Sequence, residues 1–268
     1  MTLSVALSRT RAQVVHELRR LLPRMEGFAA QAPALALGLP ALDSHLPQGG
    51  LALAALHEVA PATDGDIPAA FGFIAALLAR MPKGGPLLIV MPARGLRVKG
   101  LPIRKLPPFA RPHGHGLNGL GLDPARVILV ETENEKQTLW AVEEALRSRA
   151  PAAVAGAIER LDLKISQKLH LIAGDAGLPL LVLRPARAME ASAAATRWRV
   201  GAAEAARDRF GLIERRRWHL SLERCRNGRP GEWLVEFDHV AHRFRLAAAL
   251  ADPALPCGAG EIGQRRAG

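Results

Sequence analysis

One turn holds the residues with the most to say about chemistry. Between an apolar run over 53–59 and a helical stretch over 69–80, the chain reads His57-Glu58-Val59-Ala60-Pro61-Ala62-Thr63-Asp64-Gly65-Asp66-Ile67-Pro68. Open α/β sheets bind their ligands beyond the carboxyl ends of the strands, so this first strand-to-helix turn is where a phosphate would sit. Holding a nucleoside triphosphate there takes glycines that let backbone N–H groups face the phosphates, a lysine for the β and γ groups, and a Ser or Thr for magnesium. The turn has a single glycine, Gly65, no lysine, and no Ser or Thr at the magnesium position. Its residues also have a use that needs no ligand. Thr63 or Asp66 caps the helix, Pro68 occupies its first turn, and Asp64 and Asp66 complement the positive helix end that a phosphate would otherwise occupy.

Other chemistry is poorly supported. His113 and His115, in Pro-His-Gly-His-Gly, are two histidines without a third ligand at useful spacing, too few for a metal site. Cys225 and Cys257 lie far apart and form no CxxC pair, which suggests neither a zinc cage nor a disulfide framework and fits a reducing cytoplasm. No nucleophile elbow is present, and Glu143-Glu144 falls on a solvated helix face. Arginine is different. Between 184 and 229 there are twelve arginines against five acidic residues, and two groups, Arg197-Trp198-Arg199 and Arg215-Arg216-Arg217-Trp218, set positive charge beside aromatic surface. Single-strand binding surfaces use that combination, which makes Arg197, Arg199, Arg215, Arg216, Arg217, Arg226 and Arg229 candidate phosphate contacts. The alternative is that Trp198, Trp218 and Trp233 are core residues of strands whose wet face carries the arginines, and strand tryptophans favour that reading.

Positioning these residues requires a layered fold. Short apolar runs over 53–59, 86–91, 127–130, 152–158 and 178–183 alternate with helical stretches over 69–80, 135–149 and 163–173. Near-continuous apolar strands separated by helices imply a mostly parallel sheet covered on both faces, an α/β domain. The segments 196–200, 218–224 and 233–237 then alternate polar with apolar or aromatic residues around an Asn227-Gly228 turn, which predicts an antiparallel extension. An amphipathic helix over 9–25 opens the chain and forms an N-terminal segment, 1–34. The domain spans 35–250, and a Pro-, Gly- and Ala-rich tail, 251–268, is expected to be disordered. The connection over 92–124 is too long for an ordinary loop. Five arginines within 9–25 argue against a signal peptide, and no apolar run is long enough to span a membrane, so a cytoplasmic protein is expected. A net charge of +11 favours polyanion partners, although an arginine-, alanine- and glycine-rich composition without tyrosine is also what a GC-rich genome produces.

Several segments carry a resemblance. They are Leu39-Pro40-Ala41-Leu42-Asp43, Gly49-Gly50-Leu51 through His57-Glu58-Val59, and Gly119-Leu120-Gly121-Leu122-Asp123-Pro124. Thr196-Arg197-Trp198-Arg199-Val200 and Arg226-Asn227-Gly228-Arg229-Pro230-Gly231-Glu232-Trp233 complete the series. In order and spacing the chain resembles the ImuA family, RecA-like proteins of a DNA-damage-inducible mutagenesis cassette, over roughly 35–250. The resemblance implies a RecA-like core. Set against the RecA pattern, Asp66 stands at the phosphate-loop lysine and Ile67 at the adjacent Ser or Thr. Ala93 falls where the water-activating glutamate belongs, and Glu159 lies near the Walker B position as a remnant. Opposite charges about 4 Å apart are worth roughly 4 kcal/mol at an effective dielectric near 20, so an aspartate in place of lysine turns attraction into repulsion of similar size. With each ~1.4 kcal/mol worth tenfold in affinity, nucleotide binding should be weak, and neither a cofactor nor catalysis is expected. The resemblance further implies an accessory role in error-prone synthesis after damage. Its partners would be an ImuB-type polymerase homologue, an error-prone replicative-type polymerase, and single-stranded DNA or RecA. Two other readings stay open at this point: a divergent DNA-dependent ATPase that draws on Lys99 or Lys105, and a SulA-like inhibitor of cell division, whose shorter chain lacks the basic extension.

Overall fold

A computed structural model describes residues 33–82, 84–93 and 111–247. The amphipathic helix over 9–25, Lys99, Lys105 and the tail lie outside the described residues. A small antiparallel pair, β1 (Ala34–Leu35) and β2 (Leu51–Ala52), precedes the main sheet, with a short helix α1 (Pro40–Asp43) between them. Asp43 fixes this entry. Its carboxylate accepts hydrogen bonds from the backbone N–H groups of Leu37, Gly38 and Leu39, so the short helix turns back on the segment that leads into it.

Among the described residues the main sheet has nine strands. In chain order they are β3 (Leu56–Pro61), β4 (Leu87–Pro92), β5 (Val127–Thr132), β6 (Ala153–Ala157), β7 (Leu180–Leu183), β8 (Thr196–Arg207), β9 (Ile213–Cys225), β10 (Gly231–Asp238) and β11 (Arg243–Leu246). Across the sheet the order is β11-β10-β9-β8-β3-β7-β6-β4-β5. From β8 to β5 all neighbours are parallel, and from β8 to β11 all are antiparallel. The fold is therefore α/β, with the mostly parallel sheet and antiparallel C-terminal extension that the sequence pattern predicts.

Helix α2 (Ile67–Ala79) covers one face. Helices α4 (Glu135–Ser148) and α5 (Leu163–Ala176) cover the other, and a short α3 (Gly114–Asn118) lies in the long connection. The period of two within each strand sorts side chains between two cores. Leu181 and Leu183 of β7 join the core under α2, whereas Leu180 and Val182 join the core under α4 and α5. Helix α2 is apolar nearly all round, as befits a helix buried along most of its length. Gly72 matters here: a Cβ at this position would meet Trp218 Cζ2 at 3.3 Å, so glycine lets the helix settle on the indole. Helices α4 and α5 begin at Asn134 and Asp162, whose side chains accept from the N–H groups of Gln137 and Ile165.

The tryptophans are core residues. Trp198 and Trp218 are buried with Val200, Leu220, Val235, Phe237 and Phe244 beneath α2, and Trp233 packs against the same cluster. A buried relay anchors β8 to β3. Trp198 Nε1–H donates to Thr196 Oγ1, that hydroxyl pairs with His57 Nδ1 at 2.8 Å, and His57 Nε2 meets the Ala52 carbonyl at 2.7 Å. A carbonyl can only accept, so Nε2 carries the imidazole proton and Nδ1 accepts from the threonine hydroxyl. Burial accordingly pushes the His57 pKa down to about 4, against the hydrogen bond to Ala52.

Candidate functional site

The turn after β3 is built around Asp66. Thr63 leaves the strand extended, residues Asp64–Asp66 form one 3-10 turn, and α2 follows with Pro68 in its first turn. Asp66 does not point its carboxylate up the helix. Oδ2 accepts from the Thr63 N–H at 3.0 Å and from the Thr63 hydroxyl at 2.7 Å, while Oδ1 accepts from the Ala202 N–H of β8 at 2.9 Å. Burial alone would raise its pKa, but the bonds from Ala202 and Thr63 outweigh that and hold the carboxyl below the usual range. The expectation of a capping role is thus met in altered form: the aspartate closes the turn on itself and ties it to the neighbouring strand. Asp64 opens the turn and Ile67 begins α2. Gly65 is not in the left-handed region, and a Cβ there would meet only Thr63 Oγ1 at 3.6 Å. Nothing in this backbone demands a glycine.

Arginines brace the same end of the sheet. Arg199 donates from Nη1 to the carbonyls of Pro61 and Ala186 and pairs with Glu223 across the bulge between β8 and β9. Beyond β7, the Arg184 guanidinium is 1% exposed and donates to the carbonyls of Ile158 and Glu159, with Glu190 at 2.8 Å. Burial pulls its pKa down, and Glu58 and Glu190 oppose that. Glu159, the candidate Walker B remnant, lies two residues past the end of β6, and its backbone carbonyl is one of the two held by Arg184. Ala93 continues the β4–β5 ladder through a bond from its N–H to the Thr132 carbonyl. Nothing in the motifs of the sequence singles out Arg184. The available signal was an arginine placed directly after the apolar run 180–183.

The seven candidate phosphate contacts separate into two groups. Arg197 pairs with Glu58 at 2.9 Å, and both side chains are largely buried. Arg199 is held by Glu223, and Arg215 and Arg217 both grip Glu236, a buried carboxylate between Val235 and Phe237 of β10. Arg226 donates to the Ala193 carbonyl. Only Arg216 and Arg229 are exposed with no side-chain hydrogen bond or ion pair among the described residues. The structure brings the guanidinium groups to one sheet region, but most face acids of the same chain. No group of three or more His, Cys, Asp or Glu side chains gathers to hold a metal ion among the described residues, and the His113 and His115 rings stand 5.4 Å apart.

One feature of this region escaped the sequence pattern. Strands β8 and β9 run far beyond 196–200 and 218–224. Strand β3 accompanies β8 only to Val200, and β10 accompanies β9 only to Arg216, so the remainder forms a two-stranded arm. Its distal part lacks strict alternation because Ala202, Ala203, Ala205 and Ala206 face no core, and the bulges there shift the register.

No family profile matches the chain. Two curated proteins named Protein ImuA, from Caulobacter vibrioides strains NA1000 / CB15N and ATCC 19089 / CIP 103742 / CB 15, are each 35% identical to it over 260 residues. The matches cover 89% of this chain and 98% of each relative. Identity at that level over almost the whole of both chains is shared descent, and the chain belongs to the ImuA family.

Proposed function

We propose that this protein is a non-hydrolysing, RecA-like accessory factor of damage-induced error-prone DNA synthesis, acting as an adaptor for a polymerase-like partner of the ImuB type and contacting DNA. Family membership supports the mutagenesis setting. The observation that carries the loss of catalysis is the position of Asp66. A phosphate loop would offer cation and N–H groups to a triphosphate, whereas here a carboxylate takes up the Thr63 and Ala202 donors. A triphosphate would have to displace three hydrogen bonds and then face that anion. Arg216 and Arg229 supply charge for a phosphate backbone, and the +11 balance of the chain favours it at long range.

Turnover tests this reading. The purified protein, given millimolar Mg-ATP with and without single-stranded DNA, should release no phosphate above a blank. ATP hydrolysis that Asp66→Ala or Glu159→Ala abolishes would overturn it in favour of a divergent ATPase.

A further inference from the structure

The arm formed by β8 and β9 ends in an unusual tip. Arg207-Asp208-Arg209-Phe210-Gly211-Leu212-Ile213 closes it, with Phe210 70% exposed and Leu212 and Ile213 each 65% exposed. The turn is nonetheless well defined. Asp208 Oδ1 accepts from the N–H groups of Phe210 and Leu212, Arg207 Nη1 donates to the Gly211 carbonyl at 2.7 Å, and Gly211 takes the left-handed φ of 77° that the closure needs. The Arg209 guanidinium carbon lies 4.7 Å from the centroid of the Phe210 ring, which caps one face of the ring and leaves the other open. Arg215 and Arg216 follow down the second strand, so cations flank the apolar tip on both sides.

We infer that this tip is a single-strand nucleic-acid site, in which a base stacks on the open face of Phe210 while Arg209, Arg207 and Arg216 meet the adjoining phosphates. The inference rests on the DNA contact proposed above and not on the loss of hydrolysis. A stable protein interface buries about 800 Å² on each partner, which three apolar side chains at the end of a narrow arm do not supply. An aromatic platform flanked by arginines, in contrast, is sufficient for one unstacked base, since every base has a π-face and the charge tracks the backbone. An aromatic capped on one face by its own arginine has room for one base, which favours an unpaired strand over insertion between the stacked pairs of a duplex. Arg209 and Arg216 make no ion pair among the described residues, whereas Arg197, Arg199, Arg215 and Arg217 each do.

The test is anisotropy of a labelled oligothymidylate against the full chain at low salt, alongside a duplex of the same length. Phe210→Ala should weaken single-strand binding about tenfold, the loss of one stacked base. Phe210→Trp should retain the affinity, and stacking should quench its added emission. Arg209→Gln should lower the slope of log affinity against log salt by about 0.7. Unfolding midpoints should not move, because the tip touches no core. Single-strand binding by the wild type that Phe210→Ala leaves unchanged would overturn the tip assignment and spare the DNA contact, whereas no binding by the wild type would sink both. An equal loss on the duplex would contradict the unpaired-strand assignment. If Phe210→Ala leaves oligothymidylate binding intact but releases a co-purifying polymerase-like protein, the tip is a protein-docking surface and the inference is wrong.

Discussion

The central strands and the arm that projects from them treat the same residue type in opposite ways. At the centre, Arg184, Arg197 and Arg199 are drawn inward, each facing an acid and one or more backbone carbonyls. At the tip of the arm Arg209 leans on an exposed aromatic, and at its root, where β10 still pairs with β9, Arg216 is exposed. The difference lies in desolvation. A guanidinium buried between strands must be answered by an anion, and a buried pair that loses one member leaves an uncompensated charge, whereas an exposed guanidinium keeps its water. A run of arginines in a sequence is therefore not yet a surface potential. Among the seven candidates, Arg197, Arg199, Arg215 and Arg217 answer acids of the same chain and Arg226 a backbone carbonyl, whereas Arg216 and Arg229 are exposed.

Four measurements can break or sharpen that contrast. The largest effect should come from Arg197→Ala, which takes from buried Glu58 its hydrogen-bonded cation and leaves it only the more distant Arg184 and Arg224. Urea unfolding should show a loss of about 3–5 kcal/mol. A cost below about 1 kcal/mol would mean that the centre tolerates an unanswered charge and that the contrast is false. Next is pH. His57 titrates near 4 in the fold and near its ordinary 6.5 when unfolded, so the unfolded chain takes up the proton first. Stability is then complete above pH 6.5 and falls as pH is lowered from 6.5 to 4, by about 3 kcal/mol from this residue. Denaturation curves across that range should show it, and His57→Gln should flatten the slope by up to one proton.

Asp66→Ala comes third, because it leaves the Thr63 and Ala202 N–H groups to water at a partly exposed turn. Thermal unfolding should register about 1–3 kcal/mol of destabilisation. The smallest effects belong to the root of the arm and the far turn. Arg216→Ala and Arg229→Ala should each change stability by no more than about 0.5 kcal/mol, and a larger loss in either would show that it has an internal partner after all.

Much of this architecture is legible in the residues because apolar periodicity is a strong signal. The runs over 86–91, 127–130, 152–158 and 178–183 fall on β4 to β7, and the alternating tryptophans of 196–237 do line the core under α2. The Asn227-Gly228 turn lies between β9 and β10, with Asn227 at φ 60°. The arm was not legible. Alanine-rich, two-sided strands such as 202–207 have no buried face to write a pattern, so only cross-strand pairing defines them. The site was half legible: the missing lysine and the intruding Asp66 can be read directly, but the carboxylate's reach to Ala202 is a contact 136 residues away in the chain. Pairings such as Arg197 with Glu58 are hidden for the same reason, since partners brought together by a parallel crossover carry no spacing signal.

Whether the anion at the head of α2 excludes nucleotide can be measured directly. Calorimetric titration of Mg-ATP into the intact chain should give no saturable heat at millimolar concentrations, with Asp66 holding Thr63 and Ala202 throughout. Magnesium-dependent binding in the micromolar range, weakened by substitutions in residues 63–67, would contradict it.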